Sequence, residues 1–288
     1  MNSVNKTMYI PLYGKAYVSK KGIILSDKKA EEIWNKEGFH LKGKSKSKWL
    51  AYFMGMRAAV YDCWAKKQME ENPDAVVLHI GCGMDSRVLR IGDNLHKWYD
   101  IDFSEVISER KLYYAENENY KMLVGDARKP EWLSEIPEAK AAVVIFEGIS
   151  MYLAHDEIKN LFSSLNNHFE KVVLLMDCYT TMAAKISKYK NPINEVGVTK
   201  VYGTDSPTIF DSEKFKFVKE HNMTPNNFIN ELCGIEKIIF KTIFGGSFSK
   251  KMYRMFEYKS IKFIRKTFIG RKDENENCKY NYKLSHFM

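Results

Sequence analysis

The chain has 288 residues, 45% hydrophobic and 14% aromatic, with 45 Lys plus Arg against 36 Asp plus Glu, a net charge of +9. That content supports a full core and excludes wholesale disorder. No apolar run approaches the roughly 20 residues of a spanning helix, and no signal-peptide core follows the amino terminus, so a cytoplasmic protein is expected.

Residues 1–72 read as a helical cap. Ser26 and Asp27 are placed to cap a helix carrying Ala30, Ile33 and Trp34, and from Ser47 onward Trp49, Leu50, Phe53, Met54, Arg57, Ala58, Tyr61 and Trp64 keep helical spacing. Pro73 ends that helix. Short apolar runs then alternate with helices: strands at 75–80, 98–102, 121–124, 141–146 and 171–176, with helices at 87–91 and 104–116. This alternation implies a parallel sheet with right-handed crossovers. Residues 179–228 lose the rhythm and read as a lid or substrate insertion over the carboxyl edge of the sheet. Two further strands, near 236–244 and 280–284 with a basic helix between, complete the expected fold. It is α/β, a doubly wound and mostly parallel seven-stranded sheet. The whole chain forms one domain, with the cap at 1–72, the core at 73–178, the insertion at 179–228 and the closing strands at 229–288.

Such sheets bind ligands at the carboxyl ends of their strands, near the point where strand order reverses. Here five strand ends carry Gly81 and Gly83, Asp102, Asp126, Glu147 and Asp177. Acids are depleted in cores unless paired, so four in succession exceed what packing needs. In segment 80–87, Ile-Gly-Cys-Gly-Met-Asp-Ser-Arg, the glycines let backbone amides approach a ligand at a helix amino end. Position 86 is Ser, so the third glycine of a dinucleotide fingerprint is missing. Asp102 lies nineteen residues after Gly83, near the spacing at which an acid reaches a nucleoside ribose; Asp100 points the same way but sits further from the strand end. Asp126 with the Ala127 amide suits an adenine ring, and Glu147 suits an amino-acid portion. Together these describe a nucleoside-shaped site.

On these motifs the chain resembles the leucine carboxyl methyltransferase family of class I S-adenosylmethionine (AdoMet)-dependent enzymes, in particular its bacterial polyketide O-methyltransferase branch. The resemblance runs from Thr-Met-Tyr-Ile-Pro-Leu-Tyr-Gly-Lys-Ala at 7–16 through Met-Gly-Met-Arg at 54–57 with Asp62. It takes in the glycine motif, Trp-Tyr-Asp-Ile-Asp-Phe at 98–103, Gly-Asp-Ala-Arg at 125–128, Glu147, and Tyr152-Leu153. It implies AdoMet as cofactor, with S-adenosylhomocysteine as product. Arg57 and Lys15 would lie on the AdoMet carboxylate, and Gly81, Cys82 and Gly83 along the methionine portion. Asp102 would take the ribose, Phe103 would accompany it, Asp126 and Ala127 would take the adenine, and Glu147 the ammonium. Cys82 stands where the family has a small residue and is read as packing, because methyl transfer needs no thiol nucleophile. Tyr152 and His155 are the candidates for handling the acceptor, which the resemblance makes a polyketide-like small molecule or a carboxyl terminus.

The competing readings are an NAD-dependent oxidoreductase, disfavoured by the glycine motif, an RNA-binding or RNA-modifying protein, and a non-catalytic AdoMet sensor. No aromatic-and-basic RNA module accompanies the lysine clusters, although the excess charge suits an anionic acceptor. The five cysteines (Cys63, Cys82, Cys178, Cys233 and Cys278) are scattered and include no C-x-x-C pair, which argues against disulfides and a structural zinc site. No metal is indicated.

Overall fold

The structure, a computed structural model, describes residues 5–37, 43–187 and 201–261. The amino-terminal cap is built from α1 (Tyr9–Lys20), α2 (Lys28–Glu37) and α3 (Lys48–Glu71). Asp27 caps α2 by accepting from the Ala30 amide (2.8 Å), and the Ser47 hydroxyl oxygen opens α3 by accepting from the Trp49 amide (3.3 Å). Nearly every face of α3 is buried, which is why its apolar pattern is broad rather than a single stripe.

The core then alternates: β1 (Ala75–Ile80), α4 (Arg87–Ile91), β2 (Trp98–Asp102), α5 (Ser104–Arg110), β3 (Tyr120–Val124), β4 (Ala141–Phe146), α6 (His155–His168), β5 (Lys171–Tyr179) and α7 (Thr181–Ser187). It closes with β6 (Phe215–His221), α8 (Asn226–Ile229), α9 (Gly234–Ile243), α10 (Ser247–Lys250) and β7 (Tyr253–Ser260). The seven strands form one sheet in the order β3-β2-β1-β4-β5-β7-β6. All neighbours pair in parallel except β7, which runs antiparallel to both β5 and β6. Order reverses between β1 and β4, so their carboxyl ends open the crevice in which such sheets take ligands. β1 and β4 are buried throughout, as central strands covered on both faces must be.

The expected doubly wound fold is present, with three local corrections. The segment expected as a strand near 236–244 is helix α9, with Phe240 buried while Ile235 and Ile238 face outward. Its place in the sheet is taken by β6, from within the stretch expected to be insertion, and by β7. The helix expected to reach 116 stops at Arg110. The strand expected at 280–284 and the basic segment from 263 lie outside the described residues. No helix among the described residues is long and apolar enough to cross a membrane.

Candidate active site

A cavity of about 640 Å³ opens over the carboxyl ends of β1 to β5. Of the twelve candidates, Lys15, Arg57, Gly81, Cys82, Gly83, Asp102, Phe103, Asp126, Ala127, Glu147 and Tyr152 all line it.

The floor begins at the turn after β1. Gly81 has φ +71°, and a Cβ there would sit 2.5 Å from the Ile149 side chain, so the turn requires glycine. Asp102 ties the end of β2 to this turn: its carboxylate accepts from the amides of Gly83 and Phe103, both at 2.8 Å. Burial pushes the Asp102 carboxyl up, against those two amides. Asp100 and Asp102 differ in what they touch. Asp100 is fully enclosed and committed to Arg110, to Tyr120 Oη (2.6 Å) and to Trp98 Nε1 (2.9 Å). Burial opposes its ionisation, but Arg110, with His79 and Tyr120, holds it down to about 2. The Cys82 thiol is buried and pushed up by that burial, so it is a neutral packing group.

Arg57 projects from α3 into the centre of the site. Its Nη1 donates to Asp177 Oδ2 (3.1 Å) and to Tyr253 Oη (3.0 Å). Its Nε lies 2.9 Å from Glu147 Oε1, an ion-pair contact in which the N–H is not aligned to hydrogen-bond. Nη2 has no hydrogen-bond partner among the described residues. Arg57 makes no ion pair with Asp62, five residues on in α3; Asp62 takes Arg87 (2.6 Å) and Arg90 (2.7 Å) instead. Glu147 is also held by Arg87 Nη2 (2.6 Å), and although burial raises its carboxyl, Arg87 and Arg57 together bring it below the ordinary range. Asp177 goes the other way: burial outweighs Arg57 and raises it. Lys15 joins this layer through Asp85 (3.1 Å), which Arg90 also holds (2.9 Å).

These pairs form one buried network. Lys15, Arg57, Arg87 and Arg90 face Asp27, Asp62, Asp85, Glu147 and Asp177, and no side chain among them is more than 7% exposed. Four cations meet five carboxylates, of which Asp177 is one whose ionisation burial opposes, and charges held this deep are costly unless paired.

Towards the outer edge, Asp126 is clamped by Arg128, whose Nε and Nη2 donate at 2.9 and 2.6 Å; the Arg128 guanidinium lies 5.8 Å from the centre of the Phe103 ring. The opposite half of the cavity is apolar and aromatic. Phe53 and Met54 come from α3, Met151 and Tyr152 follow β4, Tyr179 ends β5, and Phe244 follows α9. The stretch expected as a lid contributes Ala183, Ile186 and Ser187 of α7, but residues 202–221 turn back onto the sheet, with the Tyr202 amide on Met151 O and the Thr204 amide on Tyr179 O, both 2.7 Å. Part of the cover comes instead from Ile243, Phe244, Ser249 and Met252, around α9 and α10.

His155, the twelfth candidate, is not brought to the cavity. It opens α6, where its Nε2 meets Gly203 O (3.1 Å) and Thr204 Oγ1 (3.2 Å) and its ring packs edge-on to Phe210. Three residues past a cavity-lining tyrosine, it leaves the cavity wall as the chain enters the helix. Two members of the central cluster had no role assigned from sequence. Asp177 was visible only as one acid among several strand ends, and Tyr253 gave no signal because its strand was expected elsewhere.

A seven-stranded sheet with a reversed β7, a glycine turn after β1, acids at or just past the ends of β2 to β4 and Asp177 in the carboxyl half of β5 mark a class I AdoMet-dependent methyltransferase. A family model of leucine carboxyl methyltransferases matches residues 11–166, more than half of the chain, and the chain belongs to that family. It is 25% identical over 244 residues to the tetracenomycin polyketide synthesis O-methyltransferase TcmP of Streptomyces glaucescens, covering 82% of this chain and 89% of TcmP. It is 27% identical over 187 residues to the AdoMet-dependent methyltransferase dpfgK of Gibberella zeae, covering 59% and 62% respectively. Among solved structures, a DUF574 family protein from Streptomyces avermitilis superposes with a TM-score of 0.51 at 11% identity, covering 86% of this chain and 95% of that one, which shows a shared fold.

Proposed function

We propose that the protein is an AdoMet-dependent O-methyltransferase of a small, largely apolar acceptor. The observation that carries this is the division of one cavity into two halves. A charged, glycine-lined half is centred on Arg57, Glu147 and Asp102, and an aromatic half is centred on Phe53, Tyr179 and Phe244. TcmP, by name an O-methyltransferase of polyketide synthesis, supports oxygen as the acceptor atom.

The residues present fit the cofactor. Arg57 Nη2 is available to a carboxylate, with Lys15 in the same layer. Glu147 lies in place for an ammonium. Asp102 keeps acceptor capacity beyond its two amides for ribose hydroxyls. Asp126 and the Ala127 amide are offered to adenine, with Phe103 beside them. When bound, AdoMet supplies a methyl group already activated on sulfur for displacement by a nucleophile.

In the acceptor half the described residues that ionise are tyrosines. Burial, the largest cause, raises the Tyr152 phenol above its ordinary value, so at neutral pH it keeps its proton and orients an acceptor rather than deprotonating one. An acceptor that is ionised on its own, such as a carboxylate, needs no more than this. It also agrees with the net charge of +9.

The test is transfer of labelled methyl from AdoMet to panels of aromatic carboxylates and phenols. Mild alkali separates the products, since it hydrolyses methyl esters and spares aryl ethers. Base-labile label in small molecules is expected. Label confined to RNA, or no transfer to any oxygen acceptor, would overturn the proposal.

A further inference from the structure

Tyr253 opens β7, the antiparallel strand, and is cross-strand partner to Tyr179 in the β5–β7 register. Its hydroxyl makes two contacts at the centre of the site. It accepts from Arg57 Nη1 (3.0 Å) and donates to Asp177 Oδ2 (2.7 Å). Arg57 Nη1 also donates to that same Asp177 oxygen (3.1 Å), so the three groups close a triangle. The other Asp177 oxygen is occupied by the Gly148 amide (2.6 Å), so the carboxylate cannot swing to follow a moving guanidinium.

The Tyr253 ring belongs to the other half of the cavity. It stacks on Phe53 (centroids 6.0 Å apart, planes at 25°) and meets Tyr179 edge-on at 5.0 Å. Those aromatic contacts fix the ring, and the ring fixes the hydroxyl. A guanidinium on a long, flexible side chain is thereby held at Nη1, while Nη2 has no hydrogen-bond partner among the described residues. Gly148, at φ +73°, lies against the guanidinium, where an added Cβ would stand 3.2 Å from Nη1 and 3.4 Å from Nη2, so a side chain there would crowd both nitrogens.

We infer that Tyr253 is a positioning residue: through its hydroxyl it locks Arg57 in the orientation that presents Nη2 to the carboxylate of AdoMet. The inference rests on the cofactor assignment made above. Preorganising one donor of a planar fork reduces the freedom lost when the other donor binds. The benefit is confined to ligands that carry the amino-acid end.

The experiment is calorimetric titration of wild type and Tyr253→Phe with S-adenosylhomocysteine and with 5′-methylthioadenosine, which lacks the amino-acid end. Phenylalanine retains the ring and removes only the hydroxyl. The expected result is an S-adenosylhomocysteine Kd raised about tenfold, the size of one lost charge-assisted hydrogen bond, with the methylthioadenosine Kd within about twofold of wild type. In an Arg57→Ala background, Tyr253→Phe should add nothing, because the two residues act as one unit. An unchanged S-adenosylhomocysteine Kd overturns the inference. So does equal weakening of both ligands, which would mark a packing role, and so does an additive loss in the Arg57→Ala background. A wild-type protein that binds neither ligand defeats the methyltransferase reading itself. A wild type that binds both, with Tyr253→Phe unaffected, defeats this inference alone.

Discussion

Removing Arg57 tests the centre of the site from two directions. Arg57→Ala deletes a buried cation that faces Glu147 and Asp177. Breaking a buried pair by removing one partner costs about 3–5 kcal/mol. Here Glu147 keeps Arg87 at 2.6 Å, and Asp177 keeps the Gly148 amide and Tyr253 Oη. The loss of stability should therefore lie near the lower bound, about 3 kcal/mol, read from denaturant midpoints. For binding, the lost contact is a charge-assisted hydrogen bond of about 1.5–3 kcal/mol. That corresponds to roughly a 10- to 100-fold rise in the S-adenosylhomocysteine Kd. Adenosine, which has no carboxylate, should bind as before. Arg57→Lys should fall between, since it keeps the charge but not the planar fork. A folded Arg57→Ala protein that binds S-adenosylhomocysteine like wild type, or loses adenosine equally, would refute the reasoning.

Asp102→Ala should weaken S-adenosylhomocysteine and adenosine alike, because both carry the ribose; a selective effect on one ligand in parallel titrations would show the acid misplaced. His155→Ala should cost about 1 kcal/mol of stability, through its lost hydrogen bonds to Gly203 O and Thr204 Oγ1. It should leave the S-adenosylhomocysteine Kd unchanged, and a clear loss of affinity would return His155 to the site. Acid stability follows from Asp100 and Glu257, both brought to about 2 despite burial, by Arg110 and by His221 respectively. Their folded values lie below the unfolded ones, so their stabilisation is fully present above about pH 4 and is lost as pH falls towards 2. Asp102 and Asp177 are raised by burial and act in the opposite sense. Asp100→Asn should therefore flatten the fall in denaturant midpoint between about pH 4 and 2; an unaltered slope would contradict the assignment.

The parallel core was legible because its strands are continuous apolar runs ending in glycine or acid, a pattern that burial on both faces imposes on β1 and β4. The same strand ends named most of the cavity floor. The closing third was harder to read. In α9 the sequence Gly-Ile-Glu-Lys-Ile-Ile-Phe-Lys-Thr-Ile is rich in β-branched residues and short, so composition favours a strand while the spacing of Ile235, Ile238, Ile239 and Phe240 favours a helix. Tertiary packing of Phe240 against Tyr52 and Phe244 settles it as a helix. β6 is an edge strand that carries Lys216, Lys219 and Glu220, the kind of edge proteins charge to avoid pairing, and it lacks the apolar run that marks its neighbours. Tyr253 was invisible for a related reason. A residue 196 positions from Arg57 acquires meaning only once an antiparallel strand is placed beside β5. His155 illustrates the converse, since proximity in sequence to Tyr152 does not survive the start of a helix.

The central claim is that the cavity holds AdoMet. Parallel calorimetric titration of the purified protein with AdoMet, S-adenosylhomocysteine and NAD tests it most directly. The account predicts micromolar binding of the first two and no heat of binding with NAD; binding of NAD alone, or of none of the three, would contradict it.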